Sequence, residues 1–88
     1  MSGIVGGNLE QMHALEAQFR TEAHTVGELE RRIARLLSGT AWTGPAAERF
    51  RDEWFGSFSP SLARLCDALA HNADVVRSRR DAIQTATY

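Results

Sequence analysis

Five apolar residues of this chain stand seven apart: Val5, Met12, Phe19, Val26 and Ile33. Leu15, Leu29 and Leu36 each follow a member of that series by three. Together they read as a and d positions of a heptad, the pattern of an amphipathic helix that lays one stripe against a neighbour. Glu22 takes the one d position where the series calls for an apolar group. No proline interrupts the stretch, and Glu, Gln and Arg fill the other positions. Such residues favour helix and keep it wetted. Gly27 is the single weak point, costing up to about 1 kcal/mol relative to alanine. Asn8, after Gly6-Gly7, is a fitting N-cap. Gly39 is placed as the residue that ends the helix in a left-handed conformation. The spacing predicts a helix over 8–38.

A second pattern begins at Pro45, suited to the first helical position because its missing N–H has no intrahelical partner to lose. Ala47, Phe50, Trp54, Phe58, Leu62, Leu65, Leu69, Ala73, Val76 and Ile83 recur at steps of three and four, with a gap at Arg80. They predict a helix over 45–84. Pro60 removes a backbone hydrogen bond and presses on the carbonyl four residues earlier, so a kink or short break is expected near 56–60.

Two long helices around a short turn at 39–44 make an all-α, antiparallel helix-turn-helix hairpin, a single domain over 1–88. At 1.5 Å rise each helix would run about 45 Å. If the helices pair level with level about the turn, Glu22 falls near Ser61 and Arg64, and Asn72 near Met12. His13 and His71 fall at similar heights. The polar positions then either lie in water at the stripe's edge or form a layer that fixes register.

A chain of 88 residues buries little surface by itself. Its stripes are too wide for a two-stranded seam, since Leu9, Leu37 and Phe55 broaden them. An apolar strip left in water marks a partner site. The expectation is a dimer, two hairpins making a four-helix bundle. Its interface would draw on Met12, Leu15, Phe19, Val26, Leu29, Ile33, Phe50, Trp54, Phe58, Leu62, Leu65, Leu69 and Val76.

Other classes of function find little support. Net charge is −1, with no lysine among the ten basic residues, so no overall field steers the chain to nucleic acid or anionic lipid. Arg77, Arg79 and Arg80 cluster late, where a helix dipole favours cations; docking on an acidic partner surface is a second use for them. Glu48, Asp52 and Glu53 suit the first turns of the second helix and are not read as a catalytic pair. His13, His24 and His71 are read as surface or edge groups, not metal ligands. Cys66, the single cysteine, rules out an internal disulfide and reads as a small apolar residue. Catalytic residues, cofactor and metal are all expected to be none, and the chain is not expected to be an enzyme. The first residues lack a basic region and a long apolar run, so no Sec-type signal is read there. No apolar run reaches the roughly 18 residues of a membrane span.

The turn carries the most specific signal, "GTAWTGPAAERF" at 39–50. An indole there has a physical use: folded over the helix ends, it covers the last core layer, with its N–H on a free carbonyl of helix one. Trp42-Thr43-Gly44 between two amphipathic helices resembles the WXG family of small type VII secretion substrates. The following "PAAERFRDEW" looks like the start of the second helix in actinobacterial members. The resemblance spans essentially the whole chain. It implies a hairpin that pairs with itself or with a similar protein, and export as a folded dimer through an ATPase-driven machine. The route would be independent of a signal peptide, to the outside or the cell surface. It also implies the escort of a larger effector or toxin in some cases. Family export signals commonly include Tyr-x-x-x-Asp/Glu after the second helix. Tyr88, the only tyrosine, stands where that motif would begin, and nothing follows it. Either the partner carries the motif or the chain is cut short there. Two readings from other classes stay beside this one. The first is an intracellular helical adaptor that binds a partner through its apolar faces, and the second is a membrane-active effector.

Overall fold

A computed structural model describes residues 7–87, and among them every regular element is helical. Helix α1 spans Leu9–Gly39 and helix α2 spans Pro45–Glu53. A single π-helical turn, Trp54–Phe58, leads into helix α3, Ser59–Thr87. The segments α2, π turn and α3 run on as one rod, folded back antiparallel on α1. The result is a two-helix hairpin 64 × 17 × 14 Å in extent. No helix among the described residues is long and apolar enough to cross a membrane.

Local chemistry sets the ends. The Asn8 side chain accepts the Gln11 N–H at 2.9 Å, which caps α1. Pro45 opens α2 behind Gly44, whose φ of 110° suits glycine. Gly39 does not take the left-handed conformation expected of it. It is the last helical residue, and the chain leaves through an extended Thr40 (φ −102°, ψ 130°).

The expected kink is a widened turn. Ser59 N–H donates to the carbonyl of Trp54, five residues back. The extra residue spares Pro60 a place in an α interior, where its ring would press on the fourth carbonyl behind it. The extra residue also resets the helical phase. Ahead of the turn the inward residues are Ala47, Arg51 and Trp54; beyond it they are Ser59, Leu62, Cys66, Leu69, Ala73, Val76, Arg80 and Ile83.

The phase of α1 also differs from the expected one. The inward residues are Leu9, Met12, Glu16, Phe19, Ala23, Val26, Glu30, Ile33 and Leu37, an unbroken alternation of three and four. Met12, Phe19, Val26 and Ile33 are in the seam as expected; Val5 lies outside the described residues. Their companions are not Leu15, Glu22, Leu29 and Leu36 but the residues one later. Two of these are carboxylates with partners across the seam: Glu16 pairs with Arg80, and Glu30 accepts from the Ser59 hydroxyl. A third, Ala23, is small enough for the Cys66 thiol to reach its carbonyl at 3.2 Å.

The helices are also offset from the expected pairing. Ala23 meets Cys66 and Glu30 meets Ser59, while His13 and Arg20 reach Arg80 and Asp74. Glu22 is therefore not opposite Ser61 or Arg64, nor Met12 opposite Asn72, and His13 and His71 are not level. Side chains lean toward the N-terminus of their own helix, so antiparallel partners meet a few residues beyond the symmetric count. The π turn adds one more.

Candidate interaction surface

The seam divides the apolar residues in two. Met12, Phe19, Val26, Ile33, Leu62, Leu69 and Val76 are half-buried between the helices and Trp54 is buried. Leu15, Leu29, Phe50, Phe58 and Leu65 are exposed, with Leu36 at 57%. These outward residues are not scattered. Those on α1 keep to one heptad position, with Glu22 standing between Leu15 and Leu29, and each is one place before a seam residue. Phe50 and Leu65 hold the same place before Arg51 and Cys66, and Phe58 stands just before Ser59. In an antiparallel pair the two rows at that heptad position lie on the same side of the seam. They form one flank, with Val75 at its outer edge near the level of Leu15. Phe55, in the π turn, is exposed as well.

The phase reset matters here. Had α2 continued without the extra residue, the steps from Trp54 would put Phe58 and Leu65 into the seam. The π turn moves both onto the outer flank.

At the turn end the flank closes on Trp42. Its ring lies 6.1 Å from that of Phe50, tilted 50°, and stays 42% exposed. The indole was expected to fold over the last core layer and bond a carbonyl of helix one. Arg51 occupies those carbonyls instead. Its guanidinium donates to Trp42 O at 2.8 Å, Leu37 O at 3.2 Å and Thr40 O at 3.3 Å, and it sits 5.9 Å over the Trp42 ring. The turn is thus pinned by a cation, and the indole faces outward with the phenylalanine. Thr43 and Gly44 complete the turn without side-chain caps.

The open end carries a charged layer that the sequence pattern did not indicate. Glu16 is 9% exposed; its Oε2 accepts from Arg20 at 2.9 Å and its Oε1 faces Arg80 at 2.8 Å as an ion pair, off the hydrogen-bond line. Arg20 reaches on to Asp74 at 3.0 Å, and Arg80 Nη1 lies 2.6 Å from His13 Nδ1. The Arg20 hydrogen bond holds the Glu16 carboxyl below the usual carboxylate range, against the upward push of burial, with Arg80 adding to it. Asp74 is lowered by the same arginine. The apparent gap at Arg80 is thus a seam position filled by a paired charge.

Glu22 and Asn72 are exposed; Glu22 accepts from Gln18 and Asn72 donates to the Ala68 carbonyl of its own helix. They lie at the wet edge and form no layer between the helices. Cys66 is a free, half-buried thiol in the seam. Among the described residues no three His, Cys, Asp or Glu side chains converge as a metal site. Arg77 and Arg79 are exposed, and Tyr88 lies outside the described residues. No family model matches the chain, and no curated protein or solved structure is significantly similar to it.

Proposed function

We infer that this chain is a WXG-type hairpin that pairs with a second hairpin, a copy of itself or a similar chain. The pair would serve as substrate or targeting partner of a type VII secretion machine. The observation that carries this reading is the outer flank: a row of exposed apolar side chains from both helices that ends at Trp42 in the Trp-x-Gly turn. A second hairpin laid on that flank completes a four-helix bundle and removes the strip from water. Pairing leaves the turn at an end of the bundle, where a secretion ATPase can read it. The role is non-enzymatic, recognition and escort, with a larger effector or toxin as the escorted cargo where there is one.

The test is export from a host that has the machine, scored in the culture medium, with a strain lacking its ATPase beside it. Trp42→Ala is expected to keep the paired state and lose export. Leu29→Arg, which puts a charge in the middle of the flank, is expected to lose both. Export of Trp42→Ala at the unaltered level, or export from the ATPase-deficient strain, would sink the reading.

A further inference from the structure

Two arrangements compete for the Trp42 indole. In one it folds over the last core layer and gives its N–H to a carbonyl left free where α1 ends. In the other it stands outward beside Phe50, 42% exposed, as the structure has it. The turn backbone does little to choose between them. Among the described residues the one backbone bond inside 40–43 runs from the Trp42 N–H to the Thr40 carbonyl, at 2.9 Å.

We propose that Arg51 makes the choice: it is a positioning residue that holds the indole in its outward state. This rests on the export reading and adds what keeps the turn presentable to the machine. The guanidinium acts twice. Its donors fill the carbonyls of Leu37, Thr40 and Trp42, at 3.2, 3.3 and 2.8 Å, and these are the acceptors an inward indole would need. It also holds the backbone that carries the ring, because one of the three carbonyls is that of Trp42 itself. Its charge lies 5.9 Å from the ring centroid, an added attraction. Phe50, the residue before Arg51 on α2, supplies the outer rest for the ring at 6.1 Å. Neighbouring residues of α2 thus hold the turn from the seam side and from the flank side. Without the guanidinium three carbonyls lose their donor, and the indole N–H stands in the same turn. The inward state then gains a hydrogen bond and a covered ring.

The experiment reads the indole and the export separately. Trp54, the second tryptophan, is replaced by phenylalanine so that fluorescence reports Trp42 alone. The Trp54 indole N–H is buried without a partner among the described residues, so Trp54→Phe removes no hydrogen bond. In that background Arg51→Ala is expected to move the emission to the blue and to reduce its quenching by acrylamide, with helix content by far-ultraviolet dichroism retained. Arg51→Lys is expected to fall between, nearer to alanine, because an ammonium lacks the fork. If Arg51→Ala does not fold, Arg51→Lys carries the same test. Asn8→Ala, which removes the α1 cap at the far end at a comparable cost in stability, is expected to leave the emission where it was. Export of the chain with Trp54 restored is expected to fall about ten-fold or more in Arg51→Ala and to hold in Asn8→Ala. Emission that stays in place or moves to the red in Arg51→Ala overturns the proposal. An equal loss of export in Asn8→Ala also overturns it, since stability would then be the cause. Undiminished export of Arg51→Ala beside lost export of Trp42→Ala overturns the positioning role and leaves the export reading standing. Undiminished export of Trp42→Ala sinks the export reading itself, and the emission of Arg51→Ala still decides whether Arg51 sets the ring.

Discussion

The carbonyls of Leu37, Thr40 and Trp42 converge on one guanidinium, that of Arg51. Helix ends leave carbonyls without partners, and a forked cation satisfies several at once. Arg51→Ala is expected to lower stability by about 1–2 kcal/mol in urea unfolding, since hydrogen bonds to a charged group are the stronger ones. Arg51→Lys recovers less than half of that, because an ammonium lacks the fork. The second residue of consequence is Glu16. Its carboxyl and that of Asp74 are held below their ordinary range by Arg20. A group depressed on folding contributes stability above its unfolded pKa and loses it as pH falls through the folded one. The urea midpoint is therefore expected to hold through neutral and mildly acidic pH and to fall below about pH 4, the ordinary carboxylate region. Glu16→Gln is expected to make that fall shallower; an unchanged slope would remove Glu16 from the account. The Asn8 cap and Pro45 were legible because each acts within a few residues. Arg51 and Arg80 were not, because their partners are 14 and 64 residues away along the chain.

The π turn is the element that decides which side chains lie in the seam and which on the outer flank. It holds Trp54 and Leu62 in one seam although eight residues separate them, where a regular heptad allows seven. It also gives Pro60 a place at the start of α3 instead of inside an α-helix. These two roles can be separated. Deleting Gly56 removes the extra residue and leaves both halves of the seam in phase, but it places Pro60 in an α interior. Deletion of Gly56 combined with Pro60→Ala removes that clash as well. The combined variant is expected to exceed the single deletion by about 3 kcal/mol in urea unfolding, the cost of proline in a helix interior. Equal midpoints would mean that the widened turn has another cause. The proline and the glycine were readable as a disturbance near 56–60. Its kind was not, because a kink and a one-residue phase shift carry the same local residues. The phase of α1 was ambiguous for a related reason. Three adjacent rows of that helix carry apolar groups, and periodicity alone cannot say which two face inward. Pairing of Glu16 and Glu30 across the seam decides it, and that depends on the other helix.

At the scale of the whole molecule the hairpin is a rod. Its radius of gyration is 19.3 Å, against about 12 Å for a compact domain of this length. A rod of two helices has almost no interior. Among the described residues the buried apolar ones are Ala23, Leu37, Ala47, Trp54 and Ala73, three of them alanines. Leu15, Leu29, Leu36, Phe50, Phe58 and Leu65 meanwhile keep 40% or more of their surface in water. Burying a leucine or phenylalanine fully contributes about 1.5–3 kcal/mol, and these six are only part of the way there, so a mate covering the flank would add to what the seam supplies. Folding and pairing should then be linked. If the folded hairpin is stabilised by a mate, its Tm rises with protein concentration by mass action, and a monomer's does not. Thermal unfolding followed by far-ultraviolet dichroism at about 1 and 100 µM is expected to give a clearly higher Tm at the higher concentration. The rise is expected to disappear in Leu29→Arg, whose charge sits in the flank and leaves the seam untouched. A Tm independent of concentration in the wild type would mean that the seam alone carries the fold. Any partner of the outer flank would then dock on a hairpin already folded.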